Sequence, residues 1–254
     1  MFCCIKPKAT AKMQQAFAQH YDAKKEETGK AFSRIDLFDD KEQETQSFHF
    51  VFVLDESGSM GSVWIYLQKA YGGFLIRRRD DQGTNDHFTV IQFDSDARII
   101  CQQQTFSKTP RSLNMHGGGT SYCTALNAAN SVIAADETAS TVIMIFMSDG
   151  ANEDKGDPLT LIEQFKQQYA ANHNFICHTV GFGPAIVVGT PQAQLLANMA
   201  SVAGGRAYSA LTGAELQTVF NDIAANSTTS NALVERFSSI LAHEISVKIM
   251  IDHL

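Results

Sequence analysis

From Phe48 onward, short apolar runs alternate with amphipathic stretches. The run 48–54 (FHFVFVL) is uncharged, β-rich and ends at Asp55, the pattern of a strand covered on both faces. Residues 62–79 then place Val63, Leu67, Ala70, Tyr71, Phe74 and Leu75 on one helical stripe. Segments 88–93 and 97–103 are further strands. The Asp94-Ser95-Asp96 turn between them suits a hairpin, so the third strand is expected antiparallel at a sheet edge. A helix over 122–135 leads to the most apolar strand, 141–147 (TVIMIFM), which ends at Ser148-Asp149-Gly150. Asp157-Pro158 caps a helix through Tyr169, and a fifth strand is read over 175–182. Thr190-Pro191 repeats the cap-plus-proline signal for a helix to Val202, and 206–210 is a sixth strand. Thr212-Gly213-Ala214-Glu215 is a capping box opening a helix with Leu216, Val219, Phe220 and Ile223 inward.

This alternation specifies an α/β fold: a doubly wound, mostly parallel six-stranded sheet with one antiparallel edge strand and helices on both faces. Ligands of such sheets bind at the carboxyl ends of the strands, where the strand order reverses. The expected organisation is a domain over 47–225 between two extensions. Extension 1–46 is rich in charged residues and Gln; Met13, Phe17 and Tyr21 predict a helix near 10–27, and 33–38 reads as a short strand. Extension 226–254 reads as a helix over 231–243, followed by a strand in which Ile245, Val247, Ile249 and Ile251 alternate with Ser246, Lys248, Met250 and Asp252.

Composition narrows the function. The 254 residues are 44% hydrophobic and 19% charged, too apolar for a disordered chain. Twenty basic against 27 acidic residues leave a net charge of −7, which argues against a nucleic-acid partner. No apolar run reaches the roughly 20 residues that span a bilayer, and the start lacks the apolar core of a signal peptide. Five cysteines without regular spacing do not suggest a disulfide framework. The expectation is an intracellular, cytoplasmic protein. Lipidation at Cys3 or Cys4, beside Lys6, Lys8 and Lys12, is the one route to a membrane; the plain alternative is two exposed thiols.

The chemistry gathers at the strand ends. The first strand runs into Asp55-Glu56-Ser57-Gly58-Ser59, the fourth into Asp149, and Gly117-Gly118-Gly119-Thr120 precedes a helix between them. Carboxylate and hydroxyl oxygens suit a hard cation such as Mg²⁺. Ser57 and Ser59 can face one point from a tight turn, and the glycines let the backbone carrying Thr120 approach closely. Asp55 and Asp149 balance a divalent charge, and an open position would attract an outside carboxylate.

These motifs, in this order, resemble the von Willebrand factor A domain over about residues 47–225, with Asp55, Ser57, Ser59, Thr120 and Asp149 matching its metal-ion-dependent adhesion site. The resemblance implies Mg²⁺ or Mn²⁺ at the top of the sheet, Asp149 binding directly or through water. It also implies protein binding in which a partner's Glu or Asp completes the coordination. The loops holding Gly58, Met60, His116 and Ala151 would form the rim the partner touches. The expected function is a metal-dependent protein-interaction module, a scaffold within an intracellular assembly and not an enzyme. A structural subunit that makes its contacts through its extensions is the alternative, and a metal-dependent hydrolase a further one.

Other readings of the same residues are weaker. Alternation along a strand turns Glu56 to solvent, away from an acid–base pair with Asp55. Ser57 stands where a phosphoryl-accepting enzyme of the haloacid-dehalogenase type needs a second Asp. The glycine run lacks a P-loop lysine, and His116 with Cys123 is a loose zinc spacing. Arg77, Arg78 and Arg79 are expected to complement a helix dipole. Asp94, Asp96, Glu153, Asp154 and Asp157 are read as mostly solvated loop charges.

Overall fold

A computed structural model describes residues 48–81, 85–136, 141–169 and 174–227. The elements read in 1–46 and beyond 227 lie outside these described residues. The strands are β1 (Phe48–Asp55), β2 (His87–Phe93), β3 (Ala97–Thr105), β4 (Thr141–Ser148), β5 (Asn174–Phe182) and β6 (Ala207–Ala210). The helices are α1 (Trp64–Asp80), α2 (Tyr122–Ala134), α3 (Pro158–Tyr169), α4 (Pro191–Val202) and α5 (residues 213–227). A single 3-10 turn, Gly58–Ser62, joins β1 to α1.

The sheet order is β3-β2-β1-β4-β5-β6. All pairings are parallel except β2 with β3, as the short turn between them requires. The chain winds outward from β1 on one side and from β4 on the other, so the crevice of the reversal lies between their carboxyl ends.

Every residue of β1 and β4 is buried, which is why these strands read as unbroken apolar runs. Phe50, Phe52 and Leu54 face α1 and α5, where the Phe52 ring meets Tyr71 and Phe74 edge-on. Val51 and Val53 face the other way, toward α2, α3 and α4. The helix starts follow their caps. Thr190 Oγ1 accepts from the Ala193 N–H at 3.2 Å and Asp157 Oδ1 from the Leu159 N–H at 3.0 Å. At α5, Thr212 Oγ1 accepts from the Glu215 N–H, while Glu215 reaches back to the Leu211 N–H, one residue before the usual capping-box partner.

The amino end of β1 carries a closed polar cluster. Arg78, read with its neighbours as complementing a helix dipole, is 1% exposed: its guanidinium pairs with Asp86 at 2.7 Å, donates to the Ala224 carbonyl and lies 5.0 Å from the Phe50 ring centroid. Only Arg77 and Arg79 sit outside, paired with Asp81 and Asp80. Beside this, His49 Nδ1 lies 2.7 Å from Asp136 and Nε2 2.7 Å from the Thr89 hydroxyl.

Candidate metal site

Asp55 ends β1 and is fully buried. Its Oδ1 accepts from the Ser57 N–H at 2.8 Å, which tightens the turn, and its Oδ2 accepts from the Ser148 hydroxyl at 2.6 Å. The Ser57 and Ser59 hydroxyls are 3.1 Å apart, and Ser59 donates to Asp149 Oδ1 at 2.8 Å. Thr120 enters from the β3–α2 loop. A Cβ placed on Gly150 would lie 3.5 Å from Thr120 Oγ1 and 3.9 Å from Ser59 Oγ, so both hydroxyls flank that glycine. The structure thus brings together all five residues read from the sequence.

The glycine run makes this approach feasible. A side chain on Gly118 would meet the Asp94 carboxylate at 2.8 Å, and one on Gly119 would meet Ser95 Oγ at 2.9 Å. Gly117 has φ +89°, where a side chain is strained. The Gly58 N–H binds the Gly118 carbonyl at 3.0 Å, tying the two loops together.

The electrostatics are one-sided. Burial pushes the Asp55 carboxyl up to about 6; hydrogen bonds from Ser148 and Ser57 oppose this, and Asp149 adds to it. Burial also raises Asp149. No Lys, Arg or His among the described residues pairs with either carboxylate. A buried acid and a half-buried one among hydroxyls, without a countercharge, fit a hard divalent cation. Among the described residues no group of three or more His, Cys, Asp or Glu side chains is placed to hold a metal ion, so an ion here would rely on the hydroxyls.

The family model of the von Willebrand factor type A domain matches residues 50–222. The chain belongs to that family. Its fold is similar to a von Willebrand factor type A protein from Catenulispora acidiphila (18% identity, TM-score 0.57, covering 72% of this chain and 42% of that one). It is also similar to the open conformation of the pilus adhesin SpaC from Lactobacillus rhamnosus GG (14%, 0.61, 73% and 30%). A third is the mussel byssus proximal thread matrix protein 1, with a zinc-occupied MIDAS motif (16%, 0.52, 72% and 46%). The chain spans less than half of each of these structures. Among curated proteins, none matches it by sequence.

Around the site, this A domain departs from the sequence reading in three places. Of the four rim residues, Gly58, His116 and Ala151 are exposed, but Met60 is fully buried. The 3-10 turn folds it into the core with α1, so it presents nothing to the rim. Glu56 does not face solvent. It is 1% exposed, takes Arg98 in a fork at 2.6–2.9 Å, and accepts from Gln92 Nε2 and the His116 N–H, each at 2.9 Å. The loop acids are also engaged: Glu153 accepts from the Thr120 N–H, and Asp154 accepts from the Ser121 hydroxyl and the Cys123 N–H at the start of α2. Asp154 serves as a remote helix cap, a role no local spacing announces, because it lies some 30 residues from its donors.

Proposed function

We propose that this A domain binds Mg²⁺ or Mn²⁺ through Asp55, Ser57, Ser59, Thr120 and Asp149 and uses the ion to bind a protein partner. The ion supplies a positive centre that accepts a Glu or Asp carboxylate from that partner. Asp55 and Asp149 provide the balancing charge, and the three hydroxyls provide neutral oxygens. Supporting this is one observation above all: a buried and a half-buried carboxylate, Asp55 and Asp149, with no cationic side chain paired to either among the described residues, set among hydroxyls beneath the exposed Gly58, Ser59, His116 and Ala151. The role is scaffolding in an intracellular assembly without catalysis. The domain occupies 47–225, and the flanking extensions add contacts of their own. No helix among the described residues is long and apolar enough to cross a membrane.

Affinity capture of the tagged full chain from its own cell lysate, with Mg²⁺ or with chelator, tests the proposal. A partner retained only with Mg²⁺ and lost in Asp55→Ala is the expected result. Partners retained equally in chelator would move the binding surface to the extensions.

A further inference from the structure

Thr120 reaches the site on an irregular segment. From residue 113 to 121 the chain forms neither helix nor strand, and the three glycines before Thr120 give it wide conformational freedom. Something must hold it. Leu113 is pinned by Trp64 Nε1 on its carbonyl (3.0 Å) and by Gln68 on its N–H (3.1 Å). The Asn114 carbonyl accepts from Gln92 (2.9 Å) and Arg98 (3.3 Å), and the His116 N–H donates to Glu56 (2.9 Å).

Glu56 is the hub of these contacts. Gln92 and Arg98, the two side chains that hold Asn114, are themselves oriented by its carboxylate. Its own backbone is fixed to the sheet through Glu56 N–H to Phe93 O at 2.7 Å. One buried carboxylate therefore joins β2, β3 and the loop immediately ahead of the glycines. It does so from the residue next to Asp55.

We propose that Glu56, with Arg98, is the positioning residue of the site: it binds no ion itself but sets where Thr120 stands relative to Asp55. The inference rests on the metal reading above. Losing Glu56 leaves Arg98 and Gln92 without the group that orients them and frees His116; the segment ahead of the glycines then loses its hold, and Thr120 keeps only its bonds to Glu153 and those of its neighbours to Ser95, Asp94 and Gly58. Groups that orient metal ligands without touching the ion typically cost about 10- to 100-fold in affinity when removed. An anchor that adjoins Asp55 and Ser57 at one end and lies, at His116, four residues from Thr120 at the other belongs in that range, nearer its lower end because Asp55 and Asp149 stay in place.

The test is Mn²⁺ binding to the full chain, read by electron paramagnetic resonance, alongside thermal unfolding and the emission of Trp64, the chain's single tryptophan. Variants are Glu56→Gln, which keeps an acceptor for His116, and Arg98→Ala, at a side chain 32% exposed that can be lost without emptying the core. Asp136→Asn, at the far end of β1, is the stability control. Expected is about a 10-fold weaker Mn²⁺ affinity in Arg98→Ala, a smaller loss in Glu56→Gln, and shifted Trp64 emission in both before any metal is added. Asp136→Asn should unfold earlier yet bind Mn²⁺ as the wild type does. Unchanged affinity in folded Arg98→Ala and Glu56→Gln would overturn the positioning role and leave the metal reading standing. A wild-type chain that binds no Mn²⁺ would overturn both.

Discussion

The two ends of β1 both bury ionisable groups, Asp149 only in part, and settle them differently. At the amino end, Arg78 meets Asp86 and His49 meets Asp136, acid beside base. At the carboxyl end, Asp55 and Asp149 meet only hydroxyls and backbone. Desolvating a charge is costly in either place, and the amino end offsets it internally. The carboxyl end leaves that cost standing, so on the proposed reading an outside cation would lower the free energy of this end and not of the other. The same strand thus has a structural end and a receptive one.

The largest expected effect breaks the closed end. Arg78→Met strands the Asp86 carboxylate in the core and should cost about 3–5 kcal/mol by urea unfolding. Mn²⁺ affinity of the folded chain should stay as it was. At the open end, metal at a hundredfold excess over Kd should add about 2.7 kcal/mol to the wild type and nothing to Asp55→Asn. Without metal the sign reverses: Asp55→Asn relieves an unpaired buried charge and should be more stable than the wild type at pH 7.5 by about 1–2 kcal/mol. Equal metal-free stabilities would mean that the two ends are not different in kind.

His178 gives a smaller effect, away from both ends, in mid-β5 opposite Ile145. Burial and the neighbouring Arg206 lower it from 6.5 to about 4, although its Nδ1 accepts from the Arg206 N–H. The unfolded chain takes up this proton below about 6.5 and the folded chain only near 4. Stability therefore falls as pH drops through that window, by about 1 kcal/mol for a half-buried ring, and His178→Gln should flatten the slope in pH-dependent unfolding. Smallest is Val188→Asp, at a side chain 92% exposed, which should change stability by less than about 0.5 kcal/mol.

The sheet and the convergence of Asp55, Ser57, Ser59, Thr120 and Asp149 at its edge were legible because their signals are local or topological. An uncharged run marks a doubly covered strand, and a motif at a strand end inherits its place from the winding. The misses have physical reasons too. Glu56 was assigned to solvent by extending strand alternation past Asp55, where the chain already turns. Its partners Gln92 and Arg98 lie 36 and 42 residues away, beyond any local pattern. Met60 looked like rim because turns are usually wet, yet this turn tucks one side chain under α1. Arg78 carried a readable sign: it falls in step with Tyr71, Phe74 and Leu75 on the inward stripe of α1, a position that asks for a buried partner.

The order in which the ribosome delivers these pieces also matters. Ser59 and Asp149, now 2.8 Å apart, are separated by 90 residues of chain. At roughly 5–20 residues per second, the first half of the site waits several seconds for the second. β1, largely apolar, has no neighbour on its β4 side during that interval. A nascent chain stopped before β4 would expose that edge and hold no ion, so cation capture would report completed synthesis of the sheet's centre.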